Sequence, residues 1–184
     1  MNNRAIRSGL TLSLFAILAA SILYVGASAI AHAQTPPPAH LSLHASAIQV
    51  RLIQAEDVKL PAEFQLSMYE NTVEQITKTN RFAHVYREGD RTAGDAADLV
   101  ILQSTVTGFK KGSAEARQVT TVAGATSIGV HLKFTDKSDK VLLESDVNGK
   151  VMFFGENLRA TYDFGKKVAH VVKDNFVAAT PKHK

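Results

Sequence analysis

Apolar residues recur along this chain at two spacings, and each switch between them marks an element. Over residues 47–53 the spacing is two: Ile48, Val50 and Leu52 share one side, Gln49 and Arg51 the other. That alternation predicts a half-buried strand. Residues 57–61 turn the chain, and Pro61 suits a first helical turn, where its missing N–H costs nothing. From 62 to 79 the spacing becomes three and four: Leu66, Tyr69, Val73 and Ile76 form one stripe, broadened by Phe64 and Met68. Asn80 is the predicted stop, since asparagine tolerates the left-handed conformation that ends many helices. A short strand, 82–86, follows with almost no loop.

Residues 87–97 are polar and glycine-containing, which predicts an exposed loop. Residues 99–102 are apolar on both faces, so a strand over 98–109 should be central in its sheet. In the strand predicted at 126–134, Ile128, Val130, Leu132 and Phe134 share a face. After a hairpin loop at 136–139, Val141, Leu143, Val147, Val151 and Phe153 continue the alternation, with a bulge expected at Asn148-Gly149. A second helix then runs to about Phe176 on the stripe Leu158, Tyr162, Gly165, Ala169, Val172, Phe176. Gly165 on that stripe predicts a close approach to the sheet, while Lys166, Lys167 and Lys173 form a solvated face. The predicted order is β-α-β-β-β-β-α. One mixed sheet with two helices on one face, an α+β two-layer sandwich, buries every stripe.

The first residues are of another kind. Arg4 and Arg7 precede an apolar run, 10–25, and Ala31-His32-Ala33 offers a small-x-small cleavage site. Residues 1–33 are therefore predicted to be a secretory signal, with an uncleaved inner-membrane anchor as the alternative. Pro36-Pro37-Pro38 stiffens a spacer over 34–45, the folded α/β domain should occupy 46–178, and 179–184 should be a flexible tail. The predicted location is the periplasm or outside the cell.

Charge changes the picture little. Removing Arg4 and Arg7 from the 21 basic residues leaves 19 against 17 acidic ones, too balanced to predict a nucleic-acid partner. The absence of cysteine excludes disulfides, thiolate metal sites, cysteine nucleophiles and a lipid-modified amino-terminal cysteine.

No standard chemical constellation assembles. Gly124-Ala125-Thr126-Ser127 lacks the lysine of a phosphate loop, and no His-Glu-x-x-His motif occurs. His84, His131 and His170 are predicted to face solvent without forming a metal site. Glu63, Glu70 and Glu74 lie along a wet helical face, and Ser104, Ser113 and Ser127 sit outside any nucleophile elbow. No catalytic residue, cofactor or metal is expected.

One stretch is left over. Residues 109–128 are too long for a tight turn: charged at first (Lys110, Lys111, Glu115, Arg117), then small, β-prone and uncharged. Such a segment is a long polar-tipped hairpin, a surface for a partner's strand edge, or a lid. Its candidate contact residues are Phe109, Gly112, Arg117, Thr120, Thr121, Gly124 and Thr126. The pattern Gly108-Phe109, Gly112, Arg117, Gly124-Ala125 and a following strand ending in Asp136 resembles the bacterial family called domain of unknown function 4410. The likeness spans roughly 48–176 and departs at Thr121 and Val122, where that family is richer in glycine. It implies a fold and no reaction.

Three functions compete on these grounds. The favoured one is a non-enzymatic interaction or assembly module of the cell envelope, with a protein partner or with itself. The second is a small-ligand or lipid-binding protein, its pocket lined by Phe109, Phe153, Phe154 and Tyr162. The third is a hydrolase without a recognisable motif.

Overall fold

The computed structural model describes residues 42–113, 115–116, 124–151 and 156–178. Within these residues the elements follow the predicted order: β1 (Ala47–Val50), α1 (Ala62–Thr77), β2 (His84–Arg87), β3 (Leu99–Lys110), β4 (Thr126–Thr135), β5 (Val141–Val151) and α2 (Arg159–Asn175). A short 3-10 turn, Arg91–Asp95, lies between β2 and β3. The strands form one mixed sheet in the order β2-β1-β3-β4-β5. β1 is parallel to both its neighbours, and β3, β4 and β5 form an antiparallel meander. This is the α+β arrangement predicted from the pattern.

β1 is buried on both faces, not one. On the helix side Ile48 and Val50 enter the main core, where Phe64, Phe134 and Phe164 are also buried. On the other side Ala47 packs with Ala93 and Leu99 beneath the 3-10 turn. Gln49 is covered too, with Nε2 donating to the Arg87 carbonyl at 3.3 Å. The alternation also ends sooner than predicted. Past Val50 the chain leaves the β1–β2 ladder but keeps bonding to β3, through Arg51 N–H to Leu102 O and Gln54 N–H to Ser104 O. The change of parity leaves Leu52 57% exposed and seats Ile53 in the core.

Each helix buries most of its predicted stripe, and one member of each, Leu66 and Tyr162, stays outside. α1 buries Phe64, Met68, Tyr69, Thr72, Val73, Gln75 and Ile76, while Leu66 stays exposed. α2 buries Ala160, Thr161, Phe164, Gly165, Val168, Ala169 and Val172, and Tyr162 stays exposed. A helix in a two-layer fold meets the sheet and its sister helix at once, so its buried arc is wider than a single apolar row and takes in threonine and glutamine.

Gly165 faces α1, not the sheet as predicted: a Cβ there would lie 2.9 Å from Asn71 O. Beside it Asn71 Nδ2 donates to Thr161 Oγ1 at 3.0 Å, stitching the two helices together. The close approach of helix to sheet is made instead at Gly149, where a Cβ would fall 2.4 Å from Ala160 O and 2.8 Å from Phe164 Cβ.

The β4–β5 ladder runs unbroken across Asn148 and Gly149, so the bulge expected there is absent. The irregularities fall at Leu142 in β5 and at Thr107 in β3. The second has a use. Inserting one residue reverses the parity of all that follow. Phe109 is thereby turned into the helix layer, where its ring stands edge-on to Phe64 at 5.0 Å. α1 ends where expected, with Asn80 at φ 53° just past it. At the other end of the core, Leu43 N–H donates to Asn175 O and Val177 N–H to Leu43 O, both at 2.9 Å. The signal predicted at 1–33, the tail at 179–184, and Phe153 and Phe154 lie outside the described residues.

Candidate interaction surface

β3 leaves the sheet at Lys110 and β4 enters it at Thr126, and the two limbs between are clasped at their base. Gly112 N–H donates to Thr126 Oγ1 at 3.0 Å, the Thr126 hydroxyl donates to Asn157 Oδ1 at 2.8 Å, and Asn157 Nδ2 donates to Gly112 O at 3.1 Å. The three residues form a closed ring in which each donates once and accepts once. Thr126 is fully buried, so an unpaired hydroxyl there would cost about 1–3 kcal/mol. Gly112 allows the closure, since a Cβ would overlap Gly124 O at 2.0 Å. Asn157 comes just before α2 (Arg159–Asn175), so the loop is tied to a helix as well as to two strands.

Four of the seven sequence candidates meet here. Phe109 packs on Phe64, Gly112 and Thr126 belong to the clasp, and Gly124 is buried against Gly112. Their part in the described structure is to hold the base of the loop. Arg117, Thr120 and Thr121 lie outside the described residues. Sequence reasoning missed Asn157; an asparagine just before a helix was the available signal. At the start of the loop Ser113 Oγ donates to Glu115 Oε2 at 2.6 Å and accepts from Ala116 N–H at 3.2 Å, a local turn.

Elsewhere charges are matched. A groove of about 470 Å³ along α1 is lined by Val73, Thr77 and two ion pairs. Arg87 grips Glu70 with two bonds of 2.6 and 2.8 Å and lies 5.7 Å over the Tyr69 ring, and Lys78 pairs with Glu74. The hydrogen bond from Arg87 holds the Glu70 carboxyl below its usual pKa and raises that of Arg87 in turn. On the uncovered face of the sheet, His131 Nδ1 stands 2.9 Å from Asp146 Oδ1 and its Nε2 3.7 Å from Glu144. His84 stacks against Tyr86 on β2 and His170 is exposed on α2, so the histidines stay apart. Among the described residues no cluster could hold a metal ion, and no helix is long and apolar enough to cross a membrane.

The free edge of β5 is not bare. Lys150 N–H donates to Asp163 Oδ2 at 2.9 Å, and Lys167 Nζ donates to Asn148 O at 2.6 Å. Asp163 and Lys167 are one turn apart on α2 and pair with each other at 2.8 Å.

Two helices layered on one face of a five-stranded mixed sheet place the chain in a known class of small α+β domains. No protein-family model and no curated protein matches the sequence. Among solved structures it is similar to PelC from Paraburkholderia phytofirmans, described as a dodecamer, with TM-score 0.54 and 14% identity over 77% of this chain and 94% of that one. A second PelC dodecamer structure gives 0.52 at 14% identity, over 74% and 94%. Protein XCC0632 from Xanthomonas campestris, of the DUF330 family, gives 0.44 at 14% identity over 76% and 85%. At this identity the likeness is one of fold.

Proposed function

We propose that this chain is an exported, non-enzymatic interaction module of the bacterial cell envelope, with the 109–128 loop as its contact surface. Its likeness to domain of unknown function 4410 belongs to the same proposal. The observation that carries the reading is the clasp of Gly112, Thr126 and Asn157. A loop fixed at its base loses less conformational freedom on meeting a partner, so more of its contact energy appears as affinity. In this reading Arg117 anchors the loop or meets a partner carboxylate. The dodecamers of PelC favour a second copy among the candidate partners. The ligand-binding alternative has less support, since Phe109 is spent on packing against Phe64 and Tyr162 is exposed under Lys166.

The test is photo-crosslinking in living cells from a reactive residue at Thr121. A discrete heavier adduct supports the reading and identifies the partner, and a species of twice the monomer mass makes the partner a second copy. No adduct from protein that is expressed and exported overturns it.

A further inference from the structure

We propose that the outer edge of β5 is a self-pairing surface for a second copy of this chain, held closed by Asp163 and Lys167 of α2. The proposal is independent of the loop. In an antiparallel ladder the N–H and C=O of one residue point the same way, and the direction alternates along the strand. Asn148 O and Lys150 N–H point outward, because they are the groups that α2 takes. By the two-residue period Glu144 and Asp146 point outward as well. A docking strand would therefore use the backbone of Glu144, Asp146, Asn148 and Lys150. α2 occupies the upper two, and the two left are too few for a stable ladder.

The occupant is argued from the strand's own side chains. About a two-fold axis at Val147, two β5 strands align antiparallel with Glu144 opposite Lys150 and Asp146 opposite Asn148. Val147 faces Val147 as a non-hydrogen-bonded pair, and all four outward residues become bonded. Glu144, Asp146, Asn148 and Lys150 are exposed and share the uncovered face of the sheet, opposite Lys133, His131, Gly129 and Ser127 of β4. The Glu-Asp-Asn-Lys series is thus complementary to itself in this register, placing an opposite-charge pair at each end. An isologous contact of this kind closes as a dimer and does not propagate. The bonds that Asp163 and Lys167 make are the ones a partner strand would replace. α2 acts as an intramolecular stand-in for the second copy, and protects the edge from indiscriminate pairing.

The test is the solution mass, by light scattering, of the purified chain and of the Asp163→Ala/Lys167→Ala variant, with circular dichroism as the check of folding. The expected result is a doubling of the parent mass in the double variant. In that background Glu144→Lys should return the mass to that of the parent, by placing lysine opposite lysine. Adding Lys150→Glu should restore the doubled mass. Lys167→Met, which keeps the stem of the side chain and frees only the Asn148 carbonyl, should give a partial shift even if the double variant fails to fold. Parent mass in folded guard variants overturns the proposal. So does a doubled mass indifferent to Glu144→Lys, which would place the contact elsewhere.

Discussion

The two faces of this sheet are made from the same strands by opposite means. On the covered face Ile128, Val130, Leu132 and Phe134 of β4 are buried beneath Phe64, Phe164 and Val168. The fit is close enough that position 149 admits no side chain without moving α2. On the uncovered face, at the same registers, Thr105, His131 and Asp146 form one cross-strand row and Gln103, Lys133 and Glu144 the next. Those rows are at least partly exposed, and His131 lies within reach of an acid in each, 2.9 Å from Asp146 and 3.7 Å from Glu144. Dispersion and burial need shape, so the first face is intolerant of change. Screened charges need little shape, so these rows of the second face can change almost freely, unlike the part of it over β1 where Ala47 and Leu99 are buried. Close packing and loose polarity are separated by the thickness of one strand.

That contrast can be broken most forcefully at Phe164, fully buried between α2 and the sheet. Phe164→Ala should lose about 3–5 kcal/mol in urea unfolding. Gly149→Ala comes next, at about 1–3 kcal/mol, because the methyl meets the backbone of Ala160 and has nowhere to yield. Thr126→Val tests the boundary between the faces. It keeps the volume but opens the clasp, costing about 1–2 kcal/mol and making the 109–128 loop more sensitive to limited proteolysis. Asp146→Ala, on the uncovered face, should stay within about 0.5 kcal/mol of the parent.

The smallest effect is expected at Glu70. Arg87 holds its carboxyl below the usual range, so its contribution is present above the unfolded pKa and is lost as pH falls through the folded one. The stability difference between the parent and Glu70→Gln should therefore shrink on acidification. It should also shrink in high salt, since both side chains are about half exposed.

How much of this was legible in the sequence depended on the range of the forces involved. The antiparallel strands could be read because the alternation of β4 runs unbroken from Thr126 to Phe134. The helices were readable as helices and in most of their buried residues, but not at the edges of the stripes. Leu66 and Tyr162 fit the period as well as Phe64 and Phe164 do, and only the neighbouring layer decides which side turns inward. Gly165 was read as facing the sheet, because a glycine in a stripe does not say which backbone it must approach. The position of a bulge is set by the partner strand, so the irregularity at Thr107 left no mark while Asn148-Gly149 carried a turn-like one. The loop's limits could be seen from its composition. The clasp could not, because Asn157 reaches Gly112 from 45 residues away.

The pairing of Leu43 with Asn175 and Val177 has a mechanical consequence. Any tension on the chain upstream of Leu43 reaches two backbone hydrogen bonds at the carboxyl end of α2 before it reaches β1. That junction therefore takes up a pull from upstream before the ladders between the strands do.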